Sequence, residues 1–421
     1  MTDLKNSKEY SGRRTGNAVF ALSFMIYAVS YFGRNTFAAC ITDMEKSGLF
    51  EGGFDSYVST AFLVFYGAGQ FINGRLAGRI PPEISATAGL FGSGVSNILM
   101  AVFPYRAVFI LLWAANGFFC SMLWPTVIRI FTEWLDDRER GLATANISPS
   151  IPVGSVICYL ISSAMLKLRW QYVFILSGSL LCAGALVWSI SVRLLRGNIR
   201  RKAEEVQKSL TADEETGSKK KLSPAYFFAA GLGVMAVLSV MSGGLKEAVI
   251  GWIPTYLTDC FDYEPSFSAL VSTLMPIAGI AGPYIAIMIN KRLDNEALTV
   301  AVLMGISAAV NGIILVSGNR TAWVAIAMLA LSTACMWGIN TMLMTFTCYH
   351  FRSAGLAAAV TGTLNALVYV GSSSFTYIYR VVNESAGSWL PVVAIWTALG
   401  TACCLFGIGH SKAWKKRRPG S

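Results

Sequence analysis

NAVFALSFMIYAVSYFGRNTFAACITDM, residues 17–44, decides how this chain is read. The run is long enough to cross a bilayer as a helix, and Arg34 stands near its middle. A second apolar run, from Tyr226 to Leu257, carries Lys246 in a similar place. A fixed positive charge at membrane depth costs at least about 2.5 kcal/mol. A chain that keeps two such charges needs something to offset them. An anion that arrives, is held and leaves would do so. The expectation is a carrier for an anionic solute, gripped by Arg34 and Lys246.

The rest of the chain fits a membrane setting. Hydrophobic residues make up 54% of the 421 and charged residues 14%, against roughly 25% charged in soluble proteins. The mean hydropathy is +0.54. Twelve apolar segments are long enough to span, at 17–44, 54–80, 84–104, 107–133, 141–166, 170–195, 225–257, 267–290, 297–317, 321–347, 354–380 and 388–409. No alternating ten-residue pattern marks a β-barrel, so the expected class is an all-α membrane protein. The first run is too long for a signal peptide and lacks its cleavage site.

Basic residues fall on alternate loops, which predicts sidedness. Lys5, Lys8, Arg13 and Arg14 precede the first segment, Arg138 and Arg140 follow the fourth, and Lys415 to Arg418 close the chain. The intervening loops are acidic, with Glu45, Glu51, Asp259 and Glu264. Both termini are therefore expected in the cytosol, with a plasma or bacterial inner membrane as the default location. The net charge of +11 is spread over these loops and tails. Topology and lipid headgroups account for it, and no nucleic-acid partner is expected. The nine cysteines have no metal spacing, and neither histidine falls inside a segment. No phosphate loop, zinc helix or nucleophile elbow is present, so neither an enzyme nor a cofactor is expected.

Between Arg196 and Ser223 the apolar pattern stops, and the charged stretch reads as a flexible or partly helical linker. It divides the chain into a tail (1–16), a six-helix bundle (17–195), the linker (196–223), a second six-helix bundle (224–409) and a basic tail (410–421). Each half opens with a long helix bearing one buried cation. Duplicated halves around a central site are the layout of alternating-access carriers.

Arg34 offers a guanidinium fork matched to phosphate or carboxylate oxygens. No acid precedes Asp43 in its run, which favours a ligand role over internal pairing. Glu247 directly follows Lys246, but adjacent helical residues point about 100° apart, so direct neutralisation looks awkward. Glu247 is a candidate coupling acid or a salt-bridge partner to another helix. Arg129 and Glu133 form an i,i+4 pair of opposite sign, expected to be structural or gating. Tyr31, Tyr66, Trp124, Asn340 and Tyr369 are polar or amphipathic groups inside helices and are candidates to line the site. Pro254 either kinks the seventh segment or ends it.

Four stretches carry a family resemblance. YFGRN around Arg34, NGFFCSMLWP (Asn116–Pro125) with RERG (Arg138–Gly141), KEAVIGWIPTYL (Lys246–Leu257) and AVTGTLNALVYVGS (Ala359–Ser372) resemble segments of the major facilitator superfamily. More narrowly, they resemble the organophosphate:phosphate antiporters, which exchange glycerol-3-phosphate or hexose phosphates. The resemblance covers nearly the whole chain. It implies twelve transmembrane helices in two pseudo-symmetric bundles, with the cations of the first and seventh helices gripping a substrate phosphate. Phosphate carries about −1.5 to −2 charge near neutral pH, which two cations balance. Three departures stand out. Lys246 occupies the family's arginine position, NISPSIPVG (Asn146–Gly154) lacks the histidine of glycerol-3-phosphate exchangers, and Gly78 stands where an aspartate is usual.

Three readings follow. The first is an antiporter that exchanges a phosphorylated sugar or glycerol phosphate for inorganic phosphate. The second is a proton-coupled symporter of a sugar acid or other carboxylate. The third is a transporter-like sensor of sugar phosphate. The first two expect a monomer in a lipid bilayer, with a small anionic solute and either phosphate or a proton as the coupling species.

Overall fold

The computed structural model describes residues 2–49, 53–76, 80–213, 224–317, 321–351 and 356–419. Helix dominates them, and none is in a strand. Among the described residues, twelve helical passes follow one another. They are α1 Thr2–Lys46, α2 Phe54–Leu76, α3 Pro82–Val102, α4 Arg106–Trp134, α5 Ser150–Leu166, α6 Trp170–Asp213, α7 Leu232–Phe261, α8 Pro265–Leu293, α9 Glu296–Ser317, α10 Ala322–Tyr349, α11 Ala357–Ala386 and α12 Leu390–Arg417. Among the described residues, nine passes are long and apolar enough to cross a membrane unaided. The other three are α2, α5 and α11. Helix α2 carries Asp55, Gln70 and Asn73, and α11 carries Asn365, Arg380 and Glu384. Helix α5 is 17 residues long. These three sit at the junction of the two halves, where polar groups face protein instead of lipid. The chain is an integral multi-pass membrane protein.

The two halves pack by one scheme. In the first, α1 pairs with α5, α2 with α4 and α3 with α6. In the second, α7 pairs with α11, α8 with α10 and α9 with α12. The crossings are close because glycine removes the side chain that would separate the backbones. A Cβ added at Gly154 on α5 would lie 2.0 Å from the Ala28 carbonyl oxygen of α1. Its counterpart, Gly243 on α7, would meet the Val368 carbonyl of α11 at 1.9 Å.

Several element boundaries differ from the sequence expectation. Helix α1 starts at Thr2, α6 runs to Asp213 and α12 reaches Arg417. Hydropathy sees the apolar core of a helix and misses charged turns that continue it into water. The first part of the expected linker is thus helical, while residues 214–223 lie outside the described residues, as does Gly78. The fifth segment is interrupted, with a short helix Asp137–Asn146 before Ser150 and Pro149 in between. Helix α7 continues through Pro254 to Phe261, so that proline does not end it. Proline withholds the donor from the residue four back. Breaks occur at Met122 in α4 and at Thr273 and Ile280 in α8, near Pro125, Pro276 and Pro283.

Among the described residues, the side-chain contacts between the halves lie at the end away from the chain termini and at the level of Arg34 and Glu247. Tyr57 meets Tyr377 and Thr60 meets the Ser373 carbonyl. Arg380 on α11 binds Glu45 of α1 and Asp55 of α2, and also Glu384 of its own helix. The lobes are therefore closed together at the end opposite the termini.

Candidate anion-binding site

Helix α1 holds Arg34 at a fixed height. Its neighbour Gly33 lies against α3 and α4, where an added Cβ would fall 2.3 Å from the Ser93 hydroxyl and 2.9 Å from the Cys120 sulfur. The Asn116 side chain donates to the Gly33 carbonyl at 2.6 Å, and Ser93 donates to Asn116 at 2.5 Å. The Asn116 of the NGFFCSMLWP stretch is therefore what seats the YFGRN turn.

From that seat Arg34 points between the lobes. One guanidinium nitrogen donates to the Tyr66 hydroxyl at 3.3 Å. The other donates to the Tyr369 hydroxyl at 3.2 Å and to Glu247 at 3.3 Å. The group also lies over the rings of Tyr66 (4.7 Å) and Tyr31 (5.2 Å), in range for cation–π attraction. Gln70 donates to the Tyr66 hydroxyl at 3.1 Å and fixes that ring from behind.

Lys246 arrives from α7. Its ammonium lies 2.9 Å from Glu247 Oε1 and 3.2 Å from Asn340 Oδ1, and 4.6 Å from the centre of the Trp337 ring. A π-helical turn, Met342–Phe346, begins two residues beyond Asn340. Such turns are frequent at functional positions. The expectation that Glu247 could not readily neutralise Lys246 is corrected here. The two Cβ atoms diverge around the helix, but the long lysine stem folds back to the carboxylate. Glu247 thus gives one oxygen to each cation, with Arg34 from the first lobe and Lys246 from the second. The side chains of Arg34 and Lys246 are each 11% exposed and that of Glu247 is 18% exposed, so the triad is largely desolvated.

Space adjoins the triad. A cavity is bounded by Tyr31, Arg34, Asn35, Tyr159, Glu247 and Trp337, among others. A second shares Arg34, Asn35, Tyr159 and Glu247 and extends toward the closed end past Trp113 and Trp252. Neither cation faces lipid.

Of the residues singled out from sequence, Arg34, Lys246, Glu247, Tyr31, Tyr66, Asn340 and Tyr369 come together. The Trp124 ring meets that of Tyr27 at 5.0 Å, tilted by 41°, and Tyr27 in turn meets Tyr31. It stands one ring behind the site. Arg129 pairs with Glu133 and with the Ile80 carbonyl, tying α4 to the start of α3 away from the triad. Sequence reasoning missed Asn35 and Tyr159 as cavity walls and Arg380 as a bridge between lobes. Asn35 and Tyr159, polar groups amid apolar helices, carried the available signal.

Charges also organise the terminal face of the second lobe. Glu296, 4% exposed at its side chain, accepts hydrogen bonds from Trp414 (2.8 Å) and Arg418 (2.8 Å) and lies 3.0 Å from His350. In the turn before α9, hydrogen bonds from Lys415 and Arg418 hold the Asp294 carboxyl below its usual range.

The comparisons agree with this architecture. The chain is 24% identical over 275 residues to the putative glycerol-3-phosphate transporter 1 of Arabidopsis thaliana, covering 59% of this chain and 52% of that protein. The match thus spans about half the length of that relative. It is 24% identical over 401 residues to the glycerol-3-phosphate transporter of Bacillus subtilis (strain 168), covering 89% and 87%. Among solved structures, a D-xylose-proton symporter superposes with a TM-score of 0.72 at 12% identity, covering 93% of this chain and 96% of that one. The model of the Major Facilitator Superfamily matches residues 23–376. With its paired six-helix bundles and a polar site where they meet, the chain belongs to the Major Facilitator Superfamily.

Proposed function

We propose that this protein carries a small organic anion across the membrane by alternating access, and that the anion is a phosphorylated sugar or glycerol phosphate exchanged for inorganic phosphate. The observation that carries the reading is the convergence of Arg34 and Lys246, one from each lobe, on a common carboxylate that borders a cavity together with Arg34. A dianionic phosphate has the charge and the oxygen count to take the place of that carboxylate. Tyr31, Tyr66, Tyr369 and Asn340 supply further polar contacts. The names of the relatives, glycerol-3-phosphate transporters, support the same substrate class.

The basic residues near the termini support a cytosolic location for both, and the reading takes a plasma or bacterial inner membrane as the setting. The closed end then faces outward. The carrier works as a monomer, with 17–195 and 224–409 as its rocking halves.

One observation favours a second reading. Glu247 is a desolvated acid inside the site, and such a group suits a proton-coupled symporter of a sugar acid or other carboxylate. Phosphate-loaded proteoliposomes separate the two. In the exchange reading, external glycerol-3-phosphate or hexose phosphate releases internal labelled phosphate one for one, and Arg34→Gln abolishes release without loss of folded protein. Uptake that requires a proton gradient and ignores internal phosphate overturns that reading in favour of the symporter.

A further inference from the structure

Glu247 contacts the two cations as a bound anion would. One carboxylate oxygen lies 3.3 Å from the Arg34 guanidinium and the other 2.9 Å from the Lys246 ammonium. Arg34 and Lys246 belong to different lobes, so Glu247 also links the lobes at their meeting point. Without it, the empty site would hold two uncompensated positive charges in a largely dry interior. Such a site resists the sealed intermediate through which any alternating-access carrier must pass, because water is excluded there and unpaired buried charge is costly. A carrier with two cations and no acid would reorient only when loaded, and would be confined to exchange.

Resting on the anion-carrier reading above, we propose that Glu247 is a built-in counter-anion that fills the two-cation site when substrate is absent, so that the unloaded protein reorients and performs net transport as well as exchange. The incoming anion competes with the carboxylate for the same donors. Glu247 therefore also sets affinity: the substrate must displace it before engaging both cations. The cost of displacement falls on binding, and the benefit falls on the return of the empty carrier.

The test uses the full chain in proteoliposomes loaded with labelled inorganic phosphate. The membrane potential is clamped with potassium and valinomycin and the pH is equal on both sides. Release is measured into medium with and without external phosphate. The expected wild-type result is release in both media. Glu247→Gln keeps the shape and removes the charge. It should cut net release at least about tenfold more than it cuts exchange and lower the half-saturating phosphate concentration, as expected when a competing buried charge is deleted. Glu247→Asp retains the charge and should restore net release in part. Normal wild-type exchange with no net release overturns the inference and leaves the function intact. Equal losses of exchange and net release in Glu247→Gln, with Glu247→Asp no better, overturn it as well, since they mark Glu247 as merely structural. Absence of any phosphate-dependent release from folded wild-type protein overturns the underlying reading of function.

Discussion

Arg380→Gln tests what holds the lobes shut at the end away from the termini. The wild-type side chain is 12% exposed and faces Glu45 and Asp55 across the lobe boundary, with Asp55 wholly buried. These pairings exist only while the lobes touch, so their loss falls on the closed state. Deleting one partner of a buried ion pair costs about 3–5 kcal/mol. Glu45 and Glu384 are 21% and 36% exposed, and water recovers part of that loss. About 2 kcal/mol against closure remains, which is roughly a thirtyfold shift toward the state open at that end. Thr60 lies on the same seam, donating to the Ser373 carbonyl of the opposite lobe. A Thr60→Cys probe, labelled on intact cells with a membrane-impermeant maleimide, reads the shift. Labelling should be slow with Arg380 present and at least about tenfold faster with Arg380→Gln. The parent without the probe sets the background from the native cysteines. Unchanged labelling in a well-expressed double variant would refute the idea that this ion cluster closes the carrier.

Other expectations follow from the same geometry. Lys246→Arg should keep transport within about fivefold if phosphate is the ligand, because a guanidinium also binds phosphate oxygens; uptake by the variant measures it. Gly33→Ala forces the Ser93 hydroxyl and Cys120 aside and shifts the seat of Arg34, with an expected stability loss of about 1–3 kcal/mol, seen as a lower melting temperature in detergent. Glu296→Gln leaves Arg418 without its buried counter-charge and should cost about 2–4 kcal/mol, with earlier thermal unfolding and little change in substrate affinity.

The sequence made the helical class and the number of passes legible, because apolar length and basic-loop alternation are local signals. Arg34 and Lys246 stood out for the same reason: a charge inside an apolar run is anomalous without any knowledge of its neighbours. The partner of Arg34 was hidden, since Glu247 lies 213 residues away on another helix. Its bond to Lys246 was misjudged because backbone direction was weighed and side-chain reach was not. Arg380 escaped notice because it sits near the end of a segment, where a charge reads as a loop residue; two of its carboxylate partners, Glu45 and Asp55, come from helices of the other half. Trp124 shared the residue type of a cavity wall, but its face of α4 meets Tyr27. Helix ends were misjudged wherever charged turns prolong a helix beyond the lipid, as in α1, α6 and α12.

The paired crossings at Gly154 and Gly243 have a mechanical consequence. Where a backbone carbonyl rests directly on a neighbouring helix, sliding is resisted, so under the proposed alternating access each six-helix block would turn as a stiff body. Helix α7 has 30 residues and so is about 45 Å long, which sets each rim roughly 20 Å from a pivot at mid-depth. A tilt of about 10° there sweeps the rim by roughly 4 Å per block. Small torques at the fulcrum, where Arg34 and Glu247 touch, therefore become wide strokes at the mouths, and rigidity within each block is what makes the lever work.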